Sequence, residues 1–170
     1  GRPSAAKAAF RGSLRTARKT ESPQLVAKAE LMLCEFYARQ DQFDSARRVC
    51  SHAIESFKKV QMPSLVARTQ SQLAHLAHEQ NKLEEAREHY LASIKTLESY
   101  INEESPALAR EYANLCQVEM LLESDDAYSQ CSKALGHLDS HPNPPESMKA
   151  STHYAVGITA KRDEKTKEAE

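Results

Sequence analysis

From Ser22 onward, apolar side chains recur at i, i+3, i+4 and i+7 through segments of roughly 16 to 20 residues. That spacing predicts amphipathic helices and gives no sign of the two-residue alternation of a strand. The segments come in pairs. Within each pair, Asp41 or Asn81 separates the two halves, and both residue types tolerate the left-handed backbone that a tight helical turn requires. A Ser-Pro or Met-Pro step opens each pair at Ser22, Met62 and Ser105. Pro is harmless in a first helical turn, and Ser22 and Ser105 can cap the free amides behind it.

The pairs are copies of one another. SPQLVAKAELMLCEFYARQDQFDSARRVCSHAIESF, from Ser22, lies forty residues before MPSLVARTQSQLAHLAHEQNKLEEAREHYLASIKTL, from Met62. Pro23 and Pro63, Leu25 and Leu65, Ala27 and Ala67, Leu33 and Leu73, Phe43 and Leu83, Ala46 and Ala86, and Ile54 and Ile94 fall in step. A third copy starts at Ser105 and carries Pro106, Leu108, Leu115 and Cys116, then Ala127, Cys131, Ala134 and Leu135, with one residue fewer in the connecting turn. Small residues recur where two helices must approach closely: Cys34, Ala74 and Cys116 in the first helices, Ala46, Ala86 and Ala127 in the second. A large side chain there would push the hairpin apart.

The run LMLCEFYARQDQFDSARRVCSHAI resembles the tetratricopeptide repeat, with Leu33, Cys34, Tyr37, Phe43, Ala46 and Ala53 at the patterned places. The spacing between copies exceeds the ~34 residues of the common form, and so is similar to the long-helix variants of kinesin light chain and related scaffolds. The resemblance implies an all-α fold, a right-handed superhelix of antiparallel helical hairpins. The expected divisions are 3–20 as the second helix of a truncated repeat, 22–60, 62–102 and 105–140 as repeats, and 144–170 as a partial repeat.

At the start, Ala6, Phe10, Ser13 and Leu14 fit the second-helix pattern. At the end, Tyr154, Val156 and Gly157 fit the first-helix pattern, with the helix starting near Pro145, Thr166 where an aromatic is preferred and Ala169 opening a further second helix. A solvated, fraying tail is the competing reading of KRDEKTKEAE.

Composition narrows the function. Lysines and arginines number 23 against 24 acidic residues, so no global field draws the chain to nucleic acid or anionic lipid. No apolar run is long enough to span a bilayer. The four cysteines lie inside helical patterns rather than in CxxC pairs, which favours buried packing residues in a reducing compartment, cytoplasmic or nuclear, over disulfides, although Cys34 with Cys50 and Cys116 with Cys131 could come close.

No phosphate loop, nucleophile elbow or zinc-protease motif is present, and the chain reads as no enzyme, with no cofactor and no metal. His75 and His78 lack the third ligand that a metal site needs, and surface or groove histidines explain them better.

The family resemblance places first helices along a concave groove that binds extended peptides or a partner helix. Groove-facing places are then Lys28, Leu31, Glu35 and Arg39; Arg68, Ser71, His75, His78 and Glu79; Arg110, Ala113, Asn114, Gln117 and Met120; and Ser151, Tyr154, Ile158 and Lys161. Lys28, Arg68 and Arg110 would form a basic column for the carboxylates of an acidic peptide, weighed equally against ordinary solvated charges, with Asn114 and Gln117 free for its backbone. Leu31 and Glu35 stand where chaperone-tail binders carry a Lys and Asn clamp, which argues against a chaperone adaptor. The expected role is a protein interaction scaffold with a protein or peptide partner, no nucleic acid and no membrane; self-association through open ends is allowed. The alternatives are a structural segment of a large complex subunit and a regulatory domain of a larger enzyme.

Overall fold

The structure is a computed structural model that describes residues 2–101, 105–140 and 143–169, with side chains described between residues 4 and 164. Among the described residues the chain is all-α, with eight helices: α1 (Arg2–Lys19), α2 (Pro23–Ala38), α3 (Phe43–Lys59), α4 (Pro63–Glu79), α5 (Leu83–Glu98), α6 (Pro106–Leu121), α7 (Ala127–Ser140) and α8 (Glu146–Ala169). They form two compact units, divided between Leu76 and Ala77.

The expected caps do their work. Ser22 Oγ accepts from the Leu25 amide at 3.4 Å ahead of α2, and Ser105 Oγ accepts from the Ala107 amide at 3.3 Å ahead of α6. Asp41 and Asn81 take positive φ, 54° and 56°, and so do Glu21, Gln61 and Glu123, which sequence reasoning passed over because neither Glu nor Gln favours that region. The backbone explains why they are there. At Asp41, Gln61, Asn81 and Glu123, the residue's own amide and the next one turn back onto the last carbonyls of the preceding helix. This closing motif satisfies carbonyls that a helix end leaves open.

In the first unit, α2 and α3 form a hairpin whose core joins Ala27, Leu31, Leu33, Cys34 and Tyr37 to Ala46, Cys50, Ala53, Ile54 and Phe57, with Val66, Leu73 and Leu76 of α4 in the same cluster. Helix α1 packs on α2. Phe10 lies 5.3 Å from Phe36, while Arg11 donates to the Tyr37 hydroxyl at 3.3 Å and Lys7 stands over the Tyr37 ring.

In the second unit, α6 and α7 form the equivalent hairpin, with α5 packed on α6 and α8 on both α6 and α7. Its buried side chains include Tyr90, Ile94 and Leu97 of α5, Leu108, Leu115 and Val118 of α6, Ala134 and Leu138 of α7, and Ala155 and Thr159 of α8. The bury pattern refines the alignment of the third copy. Leu108 is buried and takes the place of Val26 and Val66, whereas Leu25 is exposed. Ser105 and Pro106 therefore enter one residue nearer the core than Ser22 and Pro23 do, which is why Ser105 reaches one amide earlier than Ser22 does.

Two expectations are corrected. The cysteines are not merely small packing residues: Cys34 is bonded to Cys50 and Cys116 to Cys131, with Cα atoms 5.2 and 4.7 Å apart. The close approach that demands small side chains at these places also brings the paired sulfurs within bonding reach. Buried free thiols no longer argue for a reducing compartment. At the other end, α8 runs unbroken to Ala169, without a turn before a further helix. Lys161, Arg162, Asp163 and Glu164 offer no Asn, Gly or Pro to break it. The side chains of Thr166 and Ala169, together with Glu170 and the His141-Pro142 step of the expected loop, lie outside the described residues.

Candidate functional site

First helices present a stripe to solvent, and its position can be read helix by helix. On α2 the outward places are Leu25, Lys28, Met32, Glu35 and Arg39; on α4 they are Arg68, Gln72, His75 and Glu79; on α6 they are Arg110, Asn114, Gln117 and Leu121. All six residues named as groove candidates fall on this stripe: Lys28, Arg68, Arg110 and Gln117 exposed, His75 and Asn114 half-buried. Leu31, Ser71 and Ala113 do not. They are buried, because the packed face of each first helix is one residue wider than the repeat pattern implied. Met32, Gln72 and Asn114 stand in the outward places instead.

The three equivalent cations differ in what they hold. Arg68 donates to Glu35 at 2.6 Å, a bond between α4 and α2 inside the first unit. Arg110 turns onto the neighbouring Glu111 at 3.1 Å. Lys28 enters no ion pair among the described residues. Arg68 and Arg110 thus each pair with a carboxylate within their own unit, whereas Lys28 does not.

Next to Arg110, Asn114 offers a different handle. Its amide Nδ2 is buried and donates to no group among the described residues. An unmet buried donor costs on the order of 1–3 kcal/mol, and one turn away on either side lie the exposed Arg110 and Gln117. A carbonyl arriving along this stripe would satisfy it.

The pattern reading missed three buried carboxylates. Glu30, Glu111 and Glu119 are each no more than 2% exposed. Glu30 accepts from Ser56 Oγ at 3.0 Å and lies 2.9 Å from His52 Nδ1, with Arg18 3.9 Å away. Glu119 accepts from Arg87 Nε at 2.8 Å, and the same guanidinium reaches Asp126 at 3.3 Å. Their sequence positions did carry a signal. Glu30 lies three residues after Ala27 and four before Cys34, both fully buried, and Glu111 sits likewise between Leu108 and Leu115.

Titration is perturbed mainly in the second unit. Burial, reinforced by the charges of Glu111 and Glu79, holds the Tyr90 phenol far above its ordinary range. Burial also raises Tyr112, whose hydroxyl donates to Glu98 at 2.7 Å. At the α7–α8 connection Lys149 donates to Asp139 at 2.6 Å, which lowers the carboxyl and raises the ammonium. Among the described residues no group of three or more His, Cys, Asp or Glu side chains could hold a metal ion, and no helix is long and apolar enough to cross a membrane.

Residues 25–99 match the tetratricopeptide repeat family. The fold is similar to the crystal structure of BtubC (BKLC) from P. vanneervenii, with a TM-score of 0.84 at 22% identity, over 99% of this chain and 70% of that one. At that identity the likeness concerns the fold alone. No curated protein sequence matches the chain. The all-α hairpins described above are therefore tetratricopeptide-repeat-like, with the family match lying over residues 25–99.

Proposed function

We propose that this tetratricopeptide repeat chain is a non-catalytic interaction scaffold that takes a peptide or partner helix along the outward stripe of its first helices. The observation that carries the reading is Asn114: a buried amide donor without an acceptor, set between Arg110 and Gln117 on an exposed helix face. Scaffolding needs such a donor, because a bound backbone supplies carbonyls at any sequence, and the flanking charged and amide side chains then select among peptides. Lys28 and Arg68 with His75 provide the equivalent places on α2 and α4. The repeat divisions 22–60, 62–102 and 105–140, with partial units at 3–20 and 144–170, are part of the same proposal.

Panning a random peptide display library on the purified chain tests the reading. Retained peptides should lose at least tenfold in affinity on Arg110→Glu and on Asn114→Ala, equivalent to about 1.4 kcal/mol. Peptides that bind both variants as tightly as the parent would remove the stripe from consideration, and a library that yields no binder would remove the scaffold role.

A further inference from the structure

The balanced charge of the whole chain hides a division between its two units. Residues 1–76 hold 13 lysines and arginines against 6 acidic residues, and residues 77–170 hold 10 against 18, so the first carries +7 and the second −8. Two fields of opposite sign therefore sit on one molecule. Helix α1 concentrates the positive part: six of its residues are Lys or Arg, and none is acidic.

In the first unit, cations gather at a cleft between the second helices α1 and α3. Leu14 of α1, Leu33 of α2 and Val49 of α3 give it apolar walls, and Arg18, Arg48 and His52 complete its lining around Glu30. Its volume is about 170 Å³, room for side chains but not for a helix about 10–12 Å across. Glu30 draws Arg18 and His52 inward, to 3.9 and 2.9 Å. Arg48 is exposed and enters no ion pair among the described residues.

The counterpart cleft of the second unit shows that such a cleft stays open within the stack and that the fold does not dictate its charge. It lies between α5 and α7, with helices before and after it in the chain, and measures about 470 Å³. Glu98 and Lys133 stand there at the places of Arg18 and His52, and Tyr112 at that of Glu30. The cationic lining thus belongs to the first unit's cleft and not to the repeat.

A cation-lined apolar cleft is answered by an acidic segment with an apolar side chain, and the second unit carries one. The α6–α7 turn exposes Glu123, Asp125 and Asp126, and Leu121 just ahead of them leaves 57% of its surface in water. Arg87 holds Asp126 at 3.3 Å, whereas Glu123 and Asp125 enter no ion pair among the described residues. We propose that the α1–α3 cleft of one copy receives the acidic α6–α7 turn of a second copy, so that the chain self-associates head to tail. A nucleic acid fits the cleft less well, because Glu30 cancels part of its charge and a phosphate backbone offers nothing to Leu14, Leu33 and Val49. The two patches differ, so the contact is heterologous and continues from copy to copy, or closes into a ring.

Sedimentation velocity of the purified chain over a range of concentrations reads this contact. In ~0.1 M salt the average mass should climb with concentration, and in ~1 M salt, where the screening length drops from ~10 to ~3 Å, it should return to the monomer. Arg48→Glu, and Glu123→Lys with Asp125→Lys, should each weaken association by about tenfold or more. All three residues are exposed, so both variants keep their helical circular dichroism. Mixing the two variants should restore a one-to-one pair, because one retains an intact cleft and the other an intact turn. A monomer at every concentration, association unmoved by either variant, or a mixture that stays monomeric overturns the proposal. So does a monomer that binds a duplex oligonucleotide or a polyglutamate peptide through Arg48, since the cleft would then take a different occupant. The contact uses neither Arg110 nor Asn114 nor Gln117. Display-selected peptides should bind Arg48→Glu unchanged, so the copy contact and the first-helix stripe stand or fall separately.

Discussion

In the α2–α3 hairpin, Glu30 crosses to Ser56 and His52; in the α6–α7 hairpin, the same crossing is made by Tyr112 stacked on His137. A few residues away the two hairpins agree at their close approaches, with Ala46 matched by Ala127, Ala53 by Ala134, and a Cys–Cys bond in each. The difference separates two kinds of position. Where the backbones of these two hairpins come nearest, both carry Ala or Cys. One turn away there is space, and any pair that satisfies itself will serve: a carboxylate with a hydroxyl and an imidazole, or two stacked rings.

The largest test of that distinction lies in the core. Phe57 and Leu138 occupy equivalent places and are essentially unexposed. Phe57→Ala should cost about 3–5 kcal/mol and Leu138→Ala about 2–5 kcal/mol in urea unfolding. A loss below 1 kcal/mol at either place would show that the two cores are not equivalent.

Next come the disulfides, whose cysteines are 16 and 15 residues apart in sequence. Loops so alike should contribute alike, about 3 kcal/mol each. Paired Cys→Ala replacements at 34/50 and at 116/131, compared under non-reducing conditions, should lower stability by similar amounts. A large effect at one pair alone would break the comparison.

A smaller effect contrasts two cations on buried carboxylates. Arg87 contacts Glu119 at 2.8 Å, and its loss strands a carboxylate that is 1% exposed. Arg18 stands 3.9 Å from Glu30, which His52 and Ser56 also serve. Arg87→Ala should therefore cost about 2–3 kcal/mol and Arg18→Ala less than about 1 kcal/mol. Equal losses on thermal unfolding would mean that Glu30 depends on Arg18 as Glu119 depends on Arg87.

Alkaline titration gives the subtlest contrast. Tyr90 and Tyr112 belong to the second unit, and both phenols are raised from the ordinary value of 10.0, chiefly by burial. A raised phenol favours the folded state below the unfolded value, and that contribution is lost as pH climbs through and beyond it. Stability should be flat up to about pH 9 and fall above about pH 10. The fall should be shallower in Tyr112→Phe, as followed by circular dichroism. An unchanged slope would assign the alkaline loss elsewhere.

Much of the fold was legible because sterics repeat. Pro23, Pro63 and Pro106 marked the starts of first helices, Asp41 and Asn81 the turns, and the small residues the closest approaches. Positions that tolerate several solutions were not legible. Glu30 and Glu119 look in sequence like any solvent-facing glutamate, and only their spacing from Ala27, Cys34 and Cys116 betrays their burial. Gln61 and Glu123 adopt left-handed backbone because the closing motif imposes it, not because the side chain prefers it. The exposed stripe was located to within one residue. The error at Leu31, Ser71 and Ala113 arose because neighbouring helices cover part of the face that one helix alone would show.

The central claim is that first helices, not second helices, receive the partner. Hydrogen exchange on the chain, with and without a peptide selected by display, tests it most directly. Protection gained at the amides of α6 around Asn114, and at equivalent turns of α2 and α4, is the predicted result. Protection confined to α3, α5 and α7 would contradict it.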